Sequence, residues 1–167
     1  MGARVSVDFS GLSDVRKRMR DALVEEQTAR LLAYAPRLLQ EAYENREFKN
    51  QTLNLKDSYV WALYYQGAYI NGGFLTSSKE ANKPSHYANA IVEGRERAIA
   101  LLSRYVSDVS GWEIILCAAV PYAETLENGG DDYEKKSRTF RVISYAFDVI
   151  RKDFSGAGKS YKMLRNV

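Results

Sequence analysis

The residues best equipped for chemistry in this chain are few and scattered. His86 is the single histidine and Cys117 the single cysteine of 167 residues. A Ser-His-Asp relay or a histidine-built metal site needs several such groups converging on one point. His86 follows Pro84-Ser85, which reads as the cap of a helix, so it heads a helix with no partner base in view. Cys117 sits between Leu116 and Ala118 in an apolar run, where a thiol behaves as a small buried hydrophobe. Gly158-Lys159-Ser160 resembles the end of a phosphate-binding loop, but Asp153 stands where that motif requires its first glycine. A helical pattern precedes these residues, whereas the phosphate cradle needs a strand before it and a helix after it. Glu124, Glu127, Asp131, Asp132 and Glu134 could gather a hard cation, yet their spacing matches no calcium loop and suits a solvated turn. The expectation is therefore a protein without catalytic residues, metal or cofactor.

Composition allows a single domain with an adequate core: 46% of residues are hydrophobic and 27% charged, with a net charge of +3. That charge permits an acidic partner and demands none. One cysteine excludes an internal disulfide and suits a reducing compartment. The longest apolar run, Ile114 to Val120, is far short of a membrane span, and the first residues lack a signal-peptide core, so a soluble protein made inside the cell is expected. Twelve tyrosines and two tryptophans supply rings with an apolar body and a polar tip. Such rings serve interfaces and also strands packed on their own helices.

Stepping along the chain, Arg4 to Phe9 alternate like a short strand or arm. Leu12, Val15, Met19 and Ala22 recur at helical spacing opposite Arg16, Lys17, Arg18 and Arg20. Ser10 or Ser13 would cap this helix, which runs to about Tyr43 with a kink or a second start at Pro36. Asn45 to Lys56 reads as a loop, and Asp57 to Tyr65 as a strand with two apolar faces. Gly67, Asn71-Gly72-Gly73 and the polar run to Ser85 read as a turn and a long mobile loop. A second helix is expected over His86–Val106, on a stripe of Tyr87, Ile91, Gly94, Ala98, Leu101 and Tyr105. Trp112 to Val120 reads as a strand covered on both faces. A last helix carries Phe140, Ile143, Phe147, Ile150 and Phe154 on one side. The expected fold class is α+β: a single domain over residues 1–155, its long N-terminal helix and further helices packed on a small, mainly antiparallel sheet, with a flexible basic tail over 156–167.

Two segments give this chain a resemblance to a known family. Thr52, Leu55 and Ser58 lie at the entry to the first main strand, with Leu53 where a glycine is usual. Tyr122, Ala123, Glu127 and Gly129 lie at the exit of the later strand. Together with Phe9-Ser10-Gly11-Leu12 ahead of a long helix, they resemble the tail-completion family of long-tailed bacteriophages, also described as minor tail or head–tail joining proteins. The helix over His86–Val106 is additional to the family pattern. The resemblance implies a structural virion protein at the head–tail junction, made in the bacterial cytoplasm. It implies a homo-oligomeric ring, sixfold or twelvefold, that binds neck, connector and tail-tube proteins, with no membrane partner and only incidental contact with nucleic acid. Tyr69, Ile70, Phe74 and Leu75 are the candidate subunit-interface residues, since a solvated linker has no use for large apolar side chains among glycines; a hairpin folded on its own domain is the alternative. The rival from another class is a DNA-binding accessory protein using the basic first helix.

Because the Gly158-Lys159-Ser160 segment lacks its first glycine, no specific nucleotide affinity is expected. Equilibrium dialysis with ATP should give background binding for both the native chain and Lys159→Ala. Saturable binding abolished by Lys159→Ala would reverse this reading.

Overall fold

Tyr59–Tyr65 forms the central strand β1, and its alternation of large and small apolar residues covers two faces at once. Tyr59, Trp61 and Leu63 enter one hydrophobic cluster. Ala62 and Tyr64 enter a second. The computed structural model describes residues 11–45, 54–75, 88–120, 123 and 142–155. Within them, β1 is flanked by β2 (Ala68–Phe74) and β3 (Trp112–Ala118), giving a three-stranded sheet in the order β2-β1-β3 with both pairings antiparallel. The ladder continues past the strand ends, with Leu75 N–H donating to Tyr59 O and Ala119 N–H to Ser58 O.

The expected mobile loop from Gly67 is corrected here: its first part is strand β2. Gln66 and Gly67 both adopt positive φ, 49° and 81°, as a two-residue hairpin turn requires. The glycines that suggested a loop answer to crowding. A Cβ at Gly72 would stand 2.7 Å from the Trp61 carbonyl oxygen, and one at Gly73 would stand 3.2 Å from the Trp61 indole nitrogen. A register shift beside Leu63 and Tyr64 leaves Ile70 as the extra residue of a bulge.

Among the described residues, four helices surround the sheet. Helix α1 (Leu12–Glu44) is one continuous helix of 33 residues that runs through Pro36, so no second segment begins there. Proline in a helix interior costs roughly 3 kcal/mol. Burial of Ala35, Leu38, Leu39, Ala42 and Tyr43 on either side of it offsets that cost. Neither serine caps α1 as expected: Gly11 is its N-cap, without a side-chain hydrogen bond, and Ser13 lies inside the helix. The supposed loop before β1 ends in a short helix, α2 (Asn54–Ser58), so β1 starts at Tyr59 and not at Asp57. Helix α3 (Ala88–Arg104) packs on α2 and ends before Tyr105 and Val106, short of the expected Val106. Gly94 and Ala98, both buried, allow its close approach. Helix α4 (Val142–Asp153) buries Val142 and Ala146 fully, and Ile143 and Ile150 of the expected line pack half-buried against the same core beside them. It is tied to α1 by Tyr34 Oη donating to Asp153 Oδ2 at 2.8 Å and by Tyr145 Oη donating to Glu41 at 3.2 Å.

The architecture is the expected single α+β domain: α1 and α4 on one face of the sheet, α2 against one end of β1, and the end of α3 over Ala62, Tyr64 and Ile115. The arm at 4–9, Thr52, the polar run 76–85, His86, Tyr122, Glu127, Gly129, the acidic cluster 124–134, Phe140 and the segment 156–167 lie outside the described residues.

Ile115 and Leu116 are 5% and 8% exposed and belong to different clusters, so β3 is covered on both sides. Ile115→Asp and Leu116→Asp should each lower stability by about 3–5 kcal/mol, since an unpaired charge is buried in either case. Thermal unfolding of the two variants checks this. A native-like melt for one of them would show that face to be open.

Candidate functional site

Two exposed apolar surfaces stand out from this frame. The first is the leading half of α1. Leu12, Val15, Met19 and Leu23 are 42%, 51%, 61% and 56% exposed, and they line up at spacings of three and four residues. Among the described residues nothing covers them. Arg16, Lys17, Arg18 and Arg20 share this segment and are exposed as well. Thr28 ties the helix to the domain: its Oγ1 accepts a hydrogen bond from Trp112 Nε1 at 3.1 Å. With a rise of about 1.5 Å per residue, the part of α1 ahead of Thr28 is about 24 Å long. The sequence pattern correctly marks one apolar line, but a stripe of this kind is normally buried in its own domain.

The second surface is a groove of about 620 Å³ between the β1–β2 hairpin and the end of α3. Val60, Tyr64, Tyr69 and Phe74 line its sheet side, Ile99, Leu102, Tyr105 and Val106 its helix side, and Gly67, Gly72 and Gly73 belong to the same lining. Tyr64 is the centre of an aromatic trio, meeting the edges of Tyr69 at 5.6 Å and Tyr105 at 5.4 Å between ring centroids. Tyr105 Oη donates to Glu113 Oε1 at 2.6 Å. The other carboxylate oxygen of Glu113 is buried and has no hydrogen-bond partner among the described residues. Burial raises the pKa of both Tyr64 and Tyr105, and the neighbouring Glu113 carboxylate raises both further.

The sequence-derived interface residues separate on this surface. Tyr69 and Phe74 line the groove, and Ile70 is exposed on the bulge. Leu75, at 6% exposure, belongs to the core, which removes it from any interface. Of the family-motif residues, Leu55, Ser58 and Ala123 are all buried. Ser58 Oγ donates to Leu55 O at 2.7 Å, closing the turn that launches β1. Beside it, Asp57 pairs with Arg95 at 3.3 Å, and that guanidinium stacks 5.5 Å from the Phe74 ring. These motif residues shape the scaffold that carries the groove. Ile99, Val106 and Glu113 escaped sequence analysis: Ile99 falls off the apolar stripe of its helix, and nothing local distinguishes Glu113 from a solvated strand carboxylate.

Among the described residues no cluster of His, Cys, Asp or Glu could hold a metal ion, and no helix is long and apolar enough to cross a membrane. Burial pushes the Cys117 thiol up to about 12, so it stays protonated near neutrality and is a poor nucleophile. No family model, curated protein or solved structure matches the chain.

Two outcomes follow from these ionisations. Cys117 is half-buried on β3 and its thiol is held protonated, so at pH 8 it should react with a disulfide reagent more slowly than a free thiol and faster once denaturant is added; labelling of the native protein at a free-thiol rate would contradict the raised pKa. The folded state also holds the protons of Cys117 and of Tyr34, Tyr64 and Tyr105 more tightly than an unfolded chain would. Their contribution to stability is complete below about pH 9 and is lost as pH rises through the raised values. Melting temperature should therefore fall steadily above about pH 9, and the tyrosine absorbance change should coincide with unfolding. Full tyrosine ionisation in a still-folded protein would refute this.

Proposed function

We propose that this chain is a structural subunit of a tailed bacteriophage, forming a homo-oligomeric ring at the head–tail junction as a tail-completion, neck or connector protein. The observation that carries this reading is that one small domain presents two separate apolar surfaces, the α1 stripe and the tyrosine-walled groove. A subunit that closes a ring needs two different patches, each meeting the other type on a neighbour. The resemblance of the strand-entry and strand-exit segments to the tail-completion family supports the same reading. The function is assembly: the surfaces leave water as the particle grows, and binding to portal-side and tail-tube proteins fixes the ring in place. The exposed arginines of α1 also suit duplex DNA, and that reading predicts affinity falling steeply with salt.

Mass spectrometry of purified particles tests the proposal directly: the chain should be present in a fixed ratio to the portal protein. Hydrogen exchange adds the surface. Amides of β2 bonded to β1 should be protected in both free and assembled protein, whereas the exposed turns of α1 before Thr28 should exchange fast when free and slowly in the particle. Absence from particles, together with salt-dependent DNA binding, would favour the accessory-protein reading instead.

A further inference from the structure

The two faces of the sheet are covered very differently. On the larger face α1 sinks Leu38, Leu39 and Tyr43 into the core, and α4 adds Val142. On the smaller face the apolar hold of α3 is thin. From Glu93 to Arg104 its buried residues are Gly94 and Ala98, which have almost no side chain to remove from water. Leu102 and the following Tyr105 pack half-buried against Ala62, Tyr64 and Ile115. Two polar ties, one near each end, add to this contact. At the front, the Arg95 guanidinium donates to Asp57 Oδ1 at 3.3 Å and lies 5.5 Å from the centre of the Phe74 ring, so one side chain joins α3 to both α2 and β2. At the rear, the Tyr105 hydroxyl donates to Glu113 on β3 at 2.6 Å.

We infer that α3 is a lid, which opens as a unit while the sheet and the larger core stay folded, and that Arg95 and Tyr105 are its two catches. The free energy of a local opening follows the apolar surface it exposes, and here that surface is small. Helix α2 stays behind, because its Leu55 is buried in the larger cluster. Once lifted, a helix of 17 residues has little stability of its own in water, so its amides lose protection as it leaves. Opening uncovers Ala62, Tyr64 and Ile115 and turns the groove into one broad apolar face. Such a lid requires neither a ring nor a partner.

Hydrogen exchange on the full chain, followed at rising urea below the unfolding transition, tests this. Amides from Ala98 to Arg104 should exchange together, at least roughly tenfold faster than those of β1 and with a weaker dependence on urea. Arg95→Ala and Tyr105→Phe each remove a tie that exists only when the lid is shut, so each should speed exchange through α3 by about threefold or more. Tyr105→Phe keeps the ring against Tyr64 and removes only the donor, so it serves should Arg95→Ala fail to fold. Val142→Ala weakens the opposite face, which the open state retains. It should speed exchange in β1 by roughly tenfold and leave α3 unchanged. Equal rates and equal urea dependence in α3 and β1 would overturn the lid, as would faster exchange of α3 in Val142→Ala. Unchanged α3 exchange in Arg95→Ala or Tyr105→Phe would overturn the assignment of that catch.

Discussion

Strand β1 has hydrogen-bonded neighbours along both edges and packed side chains on both faces. Every other element is placed by its need to cover one of those four sides. Leu63 and Ala62, adjacent and both fully buried, face opposite ways, so a slip of one residue would exchange the two environments entirely. The larger face receives Leu38, Leu39 and Tyr43 of α1 with Val142 and Ala146 of α4. The smaller face is covered by Leu102 and Tyr105 at and just beyond the end of α3, and its remaining length stays open as the groove. The groove is thus what remains when a strand with two apolar faces is given an unequal amount of helix on each side.

Much of this frame was legible from residue order. The alternation Tyr59-Val60-Trp61-Ala62-Leu63-Tyr64-Tyr65 announces a strand buried on both faces, and the unbroken apolar run through Ile114, Ile115 and Leu116 announces its partner. Periodicity carries such elements because the pattern is set by one-dimensional spacing. What failed depended on neighbours remote in sequence. Gly72 and Gly73 read as loop residues because their purpose is the proximity of Trp61, which only the pairing reveals. Pro36 read as a break because helix propensity is local, while Leu38, Leu39 and Tyr43 hold the helix through burial against β1 and α4. The inward face of α4 was legible in part: Ile143 and Ile150 do pack against the core, whereas the fully buried Val142 and Ala146 beside them were missed because small side chains carry little periodic signal.

The candidate site was legible in part for the same reason. Tyr69 and Phe74 betray themselves as large apolar residues amid glycines, a local conflict between hydrophobicity and backbone freedom. Glu113 gave no such signal. Its significance comes from the Tyr105 hydroxyl occupying only one of its oxygens, a fact of three-dimensional placement. The buried motif residues point the other way. Ser58 is wholly enclosed, and its single short hydrogen bond turns the chain from α2 into β1, so its type answers to geometry within the subunit.

The anchoring of α1 at Thr28 has a mechanical consequence. A stiff rod held near its middle has the geometry of a lever: its rear half is clamped by Leu38, Leu39 and Tyr43, and its front half extends beyond the Trp112 contact. A tilt of about 5° at that fulcrum carries the tip of a 24 Å arm through about 2 Å. Displacements smaller than an atom at the pivot thus become displacements of a whole side chain at Leu12. A domain with a tightly packed core can in this way tolerate neighbours set at slightly different distances, taking up the mismatch in a part of itself that its core does not hold.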